Sequence, residues 1–345
     1  LQRRSSQTPP REKIEVKILP VGIIMGTQEN HFLACRRQSP MKVTYAFAHQ
    51  HLIAICSHLA GAVTVALVVS CVTASGPKEN PDLTIPESPG QEKPLITPSR
   101  AASGLAPWTL GGKPQKVAWF LCAAPEGRET VVFTHSEKAG FVQEKFCNLP
   151  ESQAFMASGF HILGVNRPGF APSTGEADLI GKSSQQAMLV AVKHAAGQAP
   201  GLPGPIAGAY GFGTGAAAAA FFAKQKGGLA WLMVGAGIYD FEQAARISGD
   251  KDLIAKIEKS VAKEGDVAYE IRSIGYDVTG LPPRIAIFQG QMDSVAPAEQ
   301  SMAFRDSLAA SEYKVTFQMI SGIGHDLTES QMRQVLDMII PSIKK

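Results

Sequence analysis

The sequence predicts an α/β domain, a mostly parallel sheet with helices on both faces. Three observations carry that prediction. Short apolar runs alternate with longer amphipathic segments across residues 117–340, the pattern of successive strand–helix units. A glycine-rich turn, Gly211-Phe212-Gly213-Thr214-Gly215, leads from one such run straight into the alanine-rich segment 216–220. An acid, Asp293, and a histidine, His325, each stand in a short loop just after a later apolar run. In parallel sheets, chemistry gathers at the carboxyl ends of the strands.

The elements follow in order. Residues 117–123 and 130–134 read as strands joined around Pro125-Glu126-Gly127, and 161–165 as a strand closed by Arg167-Pro168-Gly169. A helix over 183–196 precedes a strand over 205–210, and the glycine-rich turn then opens a helix over 214–225. Strands over 229–234, 284–289 and 315–320 and helices over 298–310 and 327–340 complete the body. Leu253, Ile254, Ile257 and Val261 fall at helical spacing. They read either as a short cap over the strand ends or as one more packed helix. The sequence contains no internal repeat.

The segment before the body reads as an address. Residues 43–77 contain no Asp, Glu, Lys or Arg, and 52–72 are the most apolar part. A bilayer-spanning helix needs about 20 such residues. Arg36, Arg37 and Lys42 precede the run, and the positive-inside bias holds that end in the cytoplasm, so the rest of the chain is expected outside it. The run ends Val68-Val69-Ser70-Cys71. This resembles the lipobox of bacterial lipoprotein signal peptides, with Cys71 as the lipidated residue. An uncleaved signal anchor and an ordinary cleaved signal are the alternatives. The expected organisation is a cytoplasmic tail or over-extended translation over 1–40, a signal or anchor over 41–75, a flexible Pro-, Ser- and Glu-rich linker over 76–107, and a folded domain over 108–345. Met25 and Met41 are candidate starts. The body is therefore expected in the periplasm or exterior of a bacterial cell envelope, tethered to the membrane by lipid.

Composition narrows the function classes. Hydrophobic residues make up 45% of the 345-residue chain and charged residues 18%, a globular composition. The net charge of +3 is concentrated at one end. Residues 1–42 hold eight of the 33 Lys and Arg but three of the 30 Asp and Glu, so the body is nearly neutral. A nucleic-acid-binding domain needs a basic face, so no nucleic acid is expected as partner. The glycine-rich turn lacks the Lys of a phosphate-binding Walker loop, and no dinucleotide fingerprint is present. We expect no cofactor and no metal. Cys122 and Cys147 are the cysteines of the folded body, and both read as buried free thiols, although export makes a bond between them feasible.

The turn, the acid and the histidine each have an ordinary reading as packing turn, helix cap and surface loop. Their order changes that. Gly211 to Gly215 resembles the nucleophile elbow of the α/β-hydrolases, written G-x-S-x-G, and elbow, acid, histidine is the chain order of that superfamily. Asn166-Arg167-Pro168-Gly169-Phe170-Ala171-Pro172-Ser173 is similar to its Pro-Gly-Phe/Tyr loop, and Thr134-His135-Ser136-Glu137 stands where it carries a His-Gly oxyanion loop. Gly237-Ile238-Tyr239-Asp240 and Arg272-Ser273 resemble the prolyl-oligopeptidase-like and related esterase branches. The resemblance implies a serine hydrolase acting on a small ester or peptide. Asp293 would orient His325, and His325 would serve as general base. The oxyanion hole would be the N–H of Thr214 with an N–H of Ser136 or Glu137.

The sequence departs from the family at the elbow itself. Gly213 stands where the nucleophile belongs, and glycine has no side chain to attack a carbonyl. Ser136 stands where the family carries glycine. Thr214 offers a hydroxyl one position on, but elbow geometry turns that side chain away from the cleft. The expectation is weak or lost hydrolysis, or a non-catalytic protein that binds a ligand in the former substrate cleft.

Overall fold

The computed structural model describes residues 83–85, 94–198 and 200–344. The lipobox with Cys71, the apolar run 52–72 and the tail 1–40 lie outside the described residues. Among the described residues, the strands form one nine-stranded sheet: β1 (Leu83–Thr84), β2 (Arg100–Leu110), β3 (Lys113–Ala123), β4 (Glu129–Thr134), β5 (Phe160–Asn166), β6 (Ile206–Phe212), β7 (Trp231–Gly235), β8 (Arg284–Gly290) and β9 (Lys314–Ser321). Their order across the sheet is β1-β9-β8-β7-β6-β4-β5-β3-β2. Pairing is parallel from β1 through β5 and antiparallel in β5–β3 and β3–β2.

Strand side chains alternate between the two faces. Along β8, Ile285 and Ile287 enter one buried cluster while Ala286 and Phe288 enter the other. Along β4, Val132 faces the first, and Val131 and Phe133 the second. Helices cover both faces, as a parallel sheet requires. Helix α3 (Lys182–Gly197), α4 (Thr214–Lys226) and α8 (Ala298–Ala310) bring Met188, Phe222 and Phe304 to the first cluster. Helix α2 (Pro150–Ala157) and α9 (Glu329–Lys344) bring Phe155, Leu336 and Ile340 to the second. Ala216 to Ala220 of α4 are wholly buried, so the small side chains let that helix lie close on the sheet.

Two expectations need correction, and one open alternative resolves. The folded domain begins earlier than residue 108, because β2 starts at Arg100 inside the stretch read as a linker and pairs along its whole length with β3. Leu83–Thr84 in the same stretch pairs with β9. β2 is an edge strand whose exposure alternates rather than being apolar throughout, so its composition reads as loop, and Pro107 is tolerated there. Cys122 and Cys147 are not free thiols but a disulfide, with Cα atoms 5.7 Å apart. Cys122 is in β3, and Cys147 ends the short helix α1 (Gln143–Phe146), which packs back on that strand. Finally, the segment 251–264 is both alternatives at once. Helix α6 (Lys251–Glu264) buries Leu253 and Ile257 in the core, and its first two turns also wall the cleft at the strand ends.

Candidate active site

The elbow is built as its sequence requires. β6 ends at Phe212, Gly213 turns at φ 59° and ψ −130°, and α4 starts at Thr214. A positive φ of this size is costly for any residue with a Cβ and free for glycine. The turn is pinned by Gly213 N–H donating to the Gly235 carbonyl at 3.0 Å, and by the Gly213 carbonyl accepting from Ala216 N–H at 3.0 Å. A Cβ at Gly215 would lie 2.7 Å from the Thr134 carbonyl oxygen, so only glycine lets α4 start against β4.

The acid and the histidine meet at this turn. Asp293, in the loop after β8, accepts from His325 Nδ1–H at 2.8 Å through Oδ2. Its Oδ1 accepts from Val295 N–H at 2.9 Å and Ala296 N–H at 2.8 Å. These bonds fix the carboxylate and put the histidine proton on Nδ1, leaving Nε2 as acceptor. His325 stands in the loop after β9, its ring 5.1 Å from that of Phe212. Its Nε2 lies 3.3 Å from where a Cβ on Gly213 would be, and the Ser136 Cβ lies 3.7 Å from the same point.

The loop after β4 is held from behind by a buried arginine. Arg167 pairs with Glu137 at 2.6 Å and donates through Nη2 to the carbonyls of His135 at 3.0 Å and Ser136 at 3.2 Å. Its backbone N–H donates to His135 Nε2 at 3.1 Å, while His135 Nδ1–H donates to the Ser136 carbonyl at 2.7 Å. Burial first, and the Arg167 charge second, push the His135 pKa well down, so this imidazole is neutral. Lys256 of α6 donates to the Glu137 carbonyl at 3.0 Å, tying the loop to the helix that walls the cleft.

The Thr214 side chain is 6% exposed, and its Oγ1 accepts the Glu137 N–H at 2.8 Å. The Glu137 N–H, one of the two alternatives for the second oxyanion donor, is thus engaged internally. The Thr214 N–H belongs to the first residue of α4 and has no carbonyl one turn back to donate to.

Two cavities are lined by residues around Gly213. One of about 360 Å³ is bounded by Thr214, Ser136, His325, Val295 and the first turns of α6. The other, about 260 Å³, shares Ser136 with the first and is also lined by Phe212. The structure therefore brings together Gly213, Thr214, Ser136, Glu137, Asp293 and His325. Sequence reading missed the service of Arg167 as clamp of the loop after β4. Its signal was present in the Arg-Pro-Gly-Phe run, but nothing there names the partner. Among the described residues, no group of three or more His, Cys, Asp or Glu is placed to hold a metal ion.

Solved structures with the same arrangement of strands and helices decide the fold. The peptidase of Mycobacterium tuberculosis that hydrolyses puromycin superposes with a TM-score of 0.55 at 19% identity, over 72% of this chain and 39% of that one. The chain has the α/β-hydrolase fold. The acylaminoacyl peptidase of Pyrococcus horikoshii matches with a TM-score of 0.54 at 14% identity, over 71% of this chain and 41% of that one. Esterase B of Lactobacillus rhamnosis matches with a TM-score of 0.54 at 13% identity, over 73% of this chain and 87% of its own. This α/β-hydrolase-fold chain thus spans about two fifths of the length of the two peptidases and most of the esterase. No protein-family model and no curated protein matches the sequence.

Proposed function

We propose that the chain is a serine-hydrolase-type protein, of esterase or peptidase kind, whose hydrolysis of small esters or peptides is weak or lost because Gly213 holds the nucleophile's place. The observation that carries this reading is the 3.3 Å between His325 Nε2 and the position of a Cβ on Gly213. A serine there would set its Oγ beside a histidine whose tautomer Asp293 already fixes. Nε2 would take the hydroxyl proton as Oγ attacked the carbonyl, then return it to the leaving group. Without that hydroxyl, His325 has only water to deprotonate. Serine proteases stripped of the nucleophile lose about 10⁶ in turnover and keep about 10³–10⁴ over water.

The test is the pair of wild type and Gly213→Ser. The wild type is expected not to label with a fluorophosphonate probe. The serine variant is expected to label and to hydrolyse activated esters well above wild type, and adding His325→Ala should erase that gain. A folded Gly213→Ser that neither labels nor hydrolyses defeats the reading.

That outcome favours a second reading, a non-catalytic protein that binds a ligand in the same cleft. The hydrogen bond from Glu137 N–H to Thr214 Oγ1 supports it, because one candidate oxyanion donor is then engaged by an internal hydroxyl.

We also propose that the body is exported and held to the membrane by lipid on Cys71. The charge-free run and its basic flank support this, as does the Cys122–Cys147 bond, because disulfides persist in oxidising compartments. Fatty-acid labelling should mark the natural chain and not Cys71→Ala. Equal labelling of both removes the lipid.

A further inference from the structure

The 260 Å³ cavity beside the elbow is an aromatic-walled pocket with an acid in it. Phe133, Phe141, Tyr210 and Phe212 supply the walls, and Glu151, the second residue of α2, lines it as well. The volume falls below the about 300–1,000 Å³ of sites for drug-sized ligands and suits a single side-chain-sized group. Asn166 shapes the wall by accepting from Phe141 N–H at 2.7 Å and donating to the Phe141 carbonyl at 2.9 Å.

Glu151 makes no ion pair or side-chain hydrogen bond with another residue among the described ones. Burial, with the like charge of Glu329 adding to it, raises its pKa, and its own charge in turn helps to raise that of Tyr210. Lys145 also borders the cavity, but it is exposed and does not pair with the acid. A neutral apolar ligand would drive water from this carboxyl and leave it only its own backbone N–H as partner, which costs free energy. A ligand cation would pair with it, and the surrounding rings attract cations as well.

We propose that this cavity binds a primary ammonium or guanidinium group carried on an apolar arm, with Glu151 as its counter-ion. Ser136 and Phe212 border both the cavity and the elbow, so an arm seated here would leave its attachment point beside Gly213. As the specificity pocket of the cleft, the site rests on the hydrolase reading. As a cation site it stands without any nucleophile, so binding rather than turnover tests it.

The experiment titrates the protein with benzylamine and with its neutral counterpart benzyl alcohol, followed by calorimetry or protein NMR. Benzylamine is expected to bind at least tenfold tighter than the alcohol. Glu151→Gln should bring the two affinities together by weakening the amine alone. Lys145→Gln, an exposed change, should strengthen the amine a fewfold and keeps the test open if the Glu151→Gln variant fails to fold. Equal affinities on the natural chain, no saturable binding of either compound at millimolar concentration, or a preference that survives Glu151→Gln each overturn the proposal. An inert Gly213→Ser would defeat the hydrolase reading and leave this result standing.

Discussion

Thr214 Oγ1 and the backbone nitrogen of Glu137 are 2.8 Å apart, and the hydroxyl accepts the N–H. The contact joins the first residue of the elbow helix to the loop after β4, and both residues are buried. One oxyanion donor contributes about 10²–10³ in turnover where it is free to act. In a Gly213→Ser background, Thr214→Val should release the Glu137 N–H and raise ester turnover tenfold or more. Steady-state kcat values of the single and double variants check this. An unchanged or lower value places the working donor elsewhere on the loop.

Restoring serine has a stability cost. Gly213 sits at φ 59°, where a residue with a Cβ is strained by about 1–3 kcal/mol. The new Cβ would also stand 3.3 Å from His325 Nε2, so the ring must shift by a few tenths of an ångström. Gly213→Ser should therefore unfold at lower urea concentration than wild type, with an unchanged m-value.

Asp293 accepts three hydrogen bonds, from His325, Val295 and Ala296. Asp293→Asn presents an amide to one of those donors and no longer holds the histidine proton on Nδ1. In the Gly213→Ser background it should return ester hydrolysis to the glycine level, since the same change in a serine protease costs about 10⁴. It should also cost about 1.5–3 kcal/mol of stability, read from denaturant midpoints.

The neutral His135 makes the fold acid-sensitive. Its native pKa lies well below the ordinary value of about 6.5, chiefly through burial. The unfolded chain thus binds its proton first as pH falls. Stability is full above about pH 6.5 and declines below it, by up to about 1.4 kcal/mol per pH unit for this one group, until the native pKa is reached. His161, also lowered mainly by burial, acts with the same sign. His135→Gln should flatten the decline between about pH 6.5 and 5 in urea midpoints, and an identical slope would remove His135 as the cause.

The Cys122–Cys147 bond closes a loop across a separation of 25 residues. The chain-entropy relation for such a loop gives about 3.5 kcal/mol. Unfolding with and without a thiol reductant should differ by that order, and the double Cys→Ala variant should match the reduced protein.

Most of the sheet was legible because its strands are buried on both faces and read as apolar runs, as in β4, β7 and β8. The strand β2 was not, because an edge strand has one paired side and mixed exposure, and its eleven residues resemble a linker until β3 lies beside them. The helices α2 and α5 (Phe241–Ile247) were not read as elements either, being short and without a clear apolar face of their own.

The sequence by itself determined the strand–helix alternation, the order of elbow, acid and histidine, and the absence of a side chain at Gly213. Each is a property of local pattern or of residue identity. Tertiary structure alone decided that Asp293 and His325 meet at 2.8 Å, that Cys122 and Cys147 are bonded, that Arg167 clamps the loop after β4, and that the Thr214 hydroxyl bonds to Glu137. Each of these joins segments 25 to 77 residues apart. Such contacts depend on strand order and on where a loop's side chains point once the sheet has formed, and a linear pattern records neither.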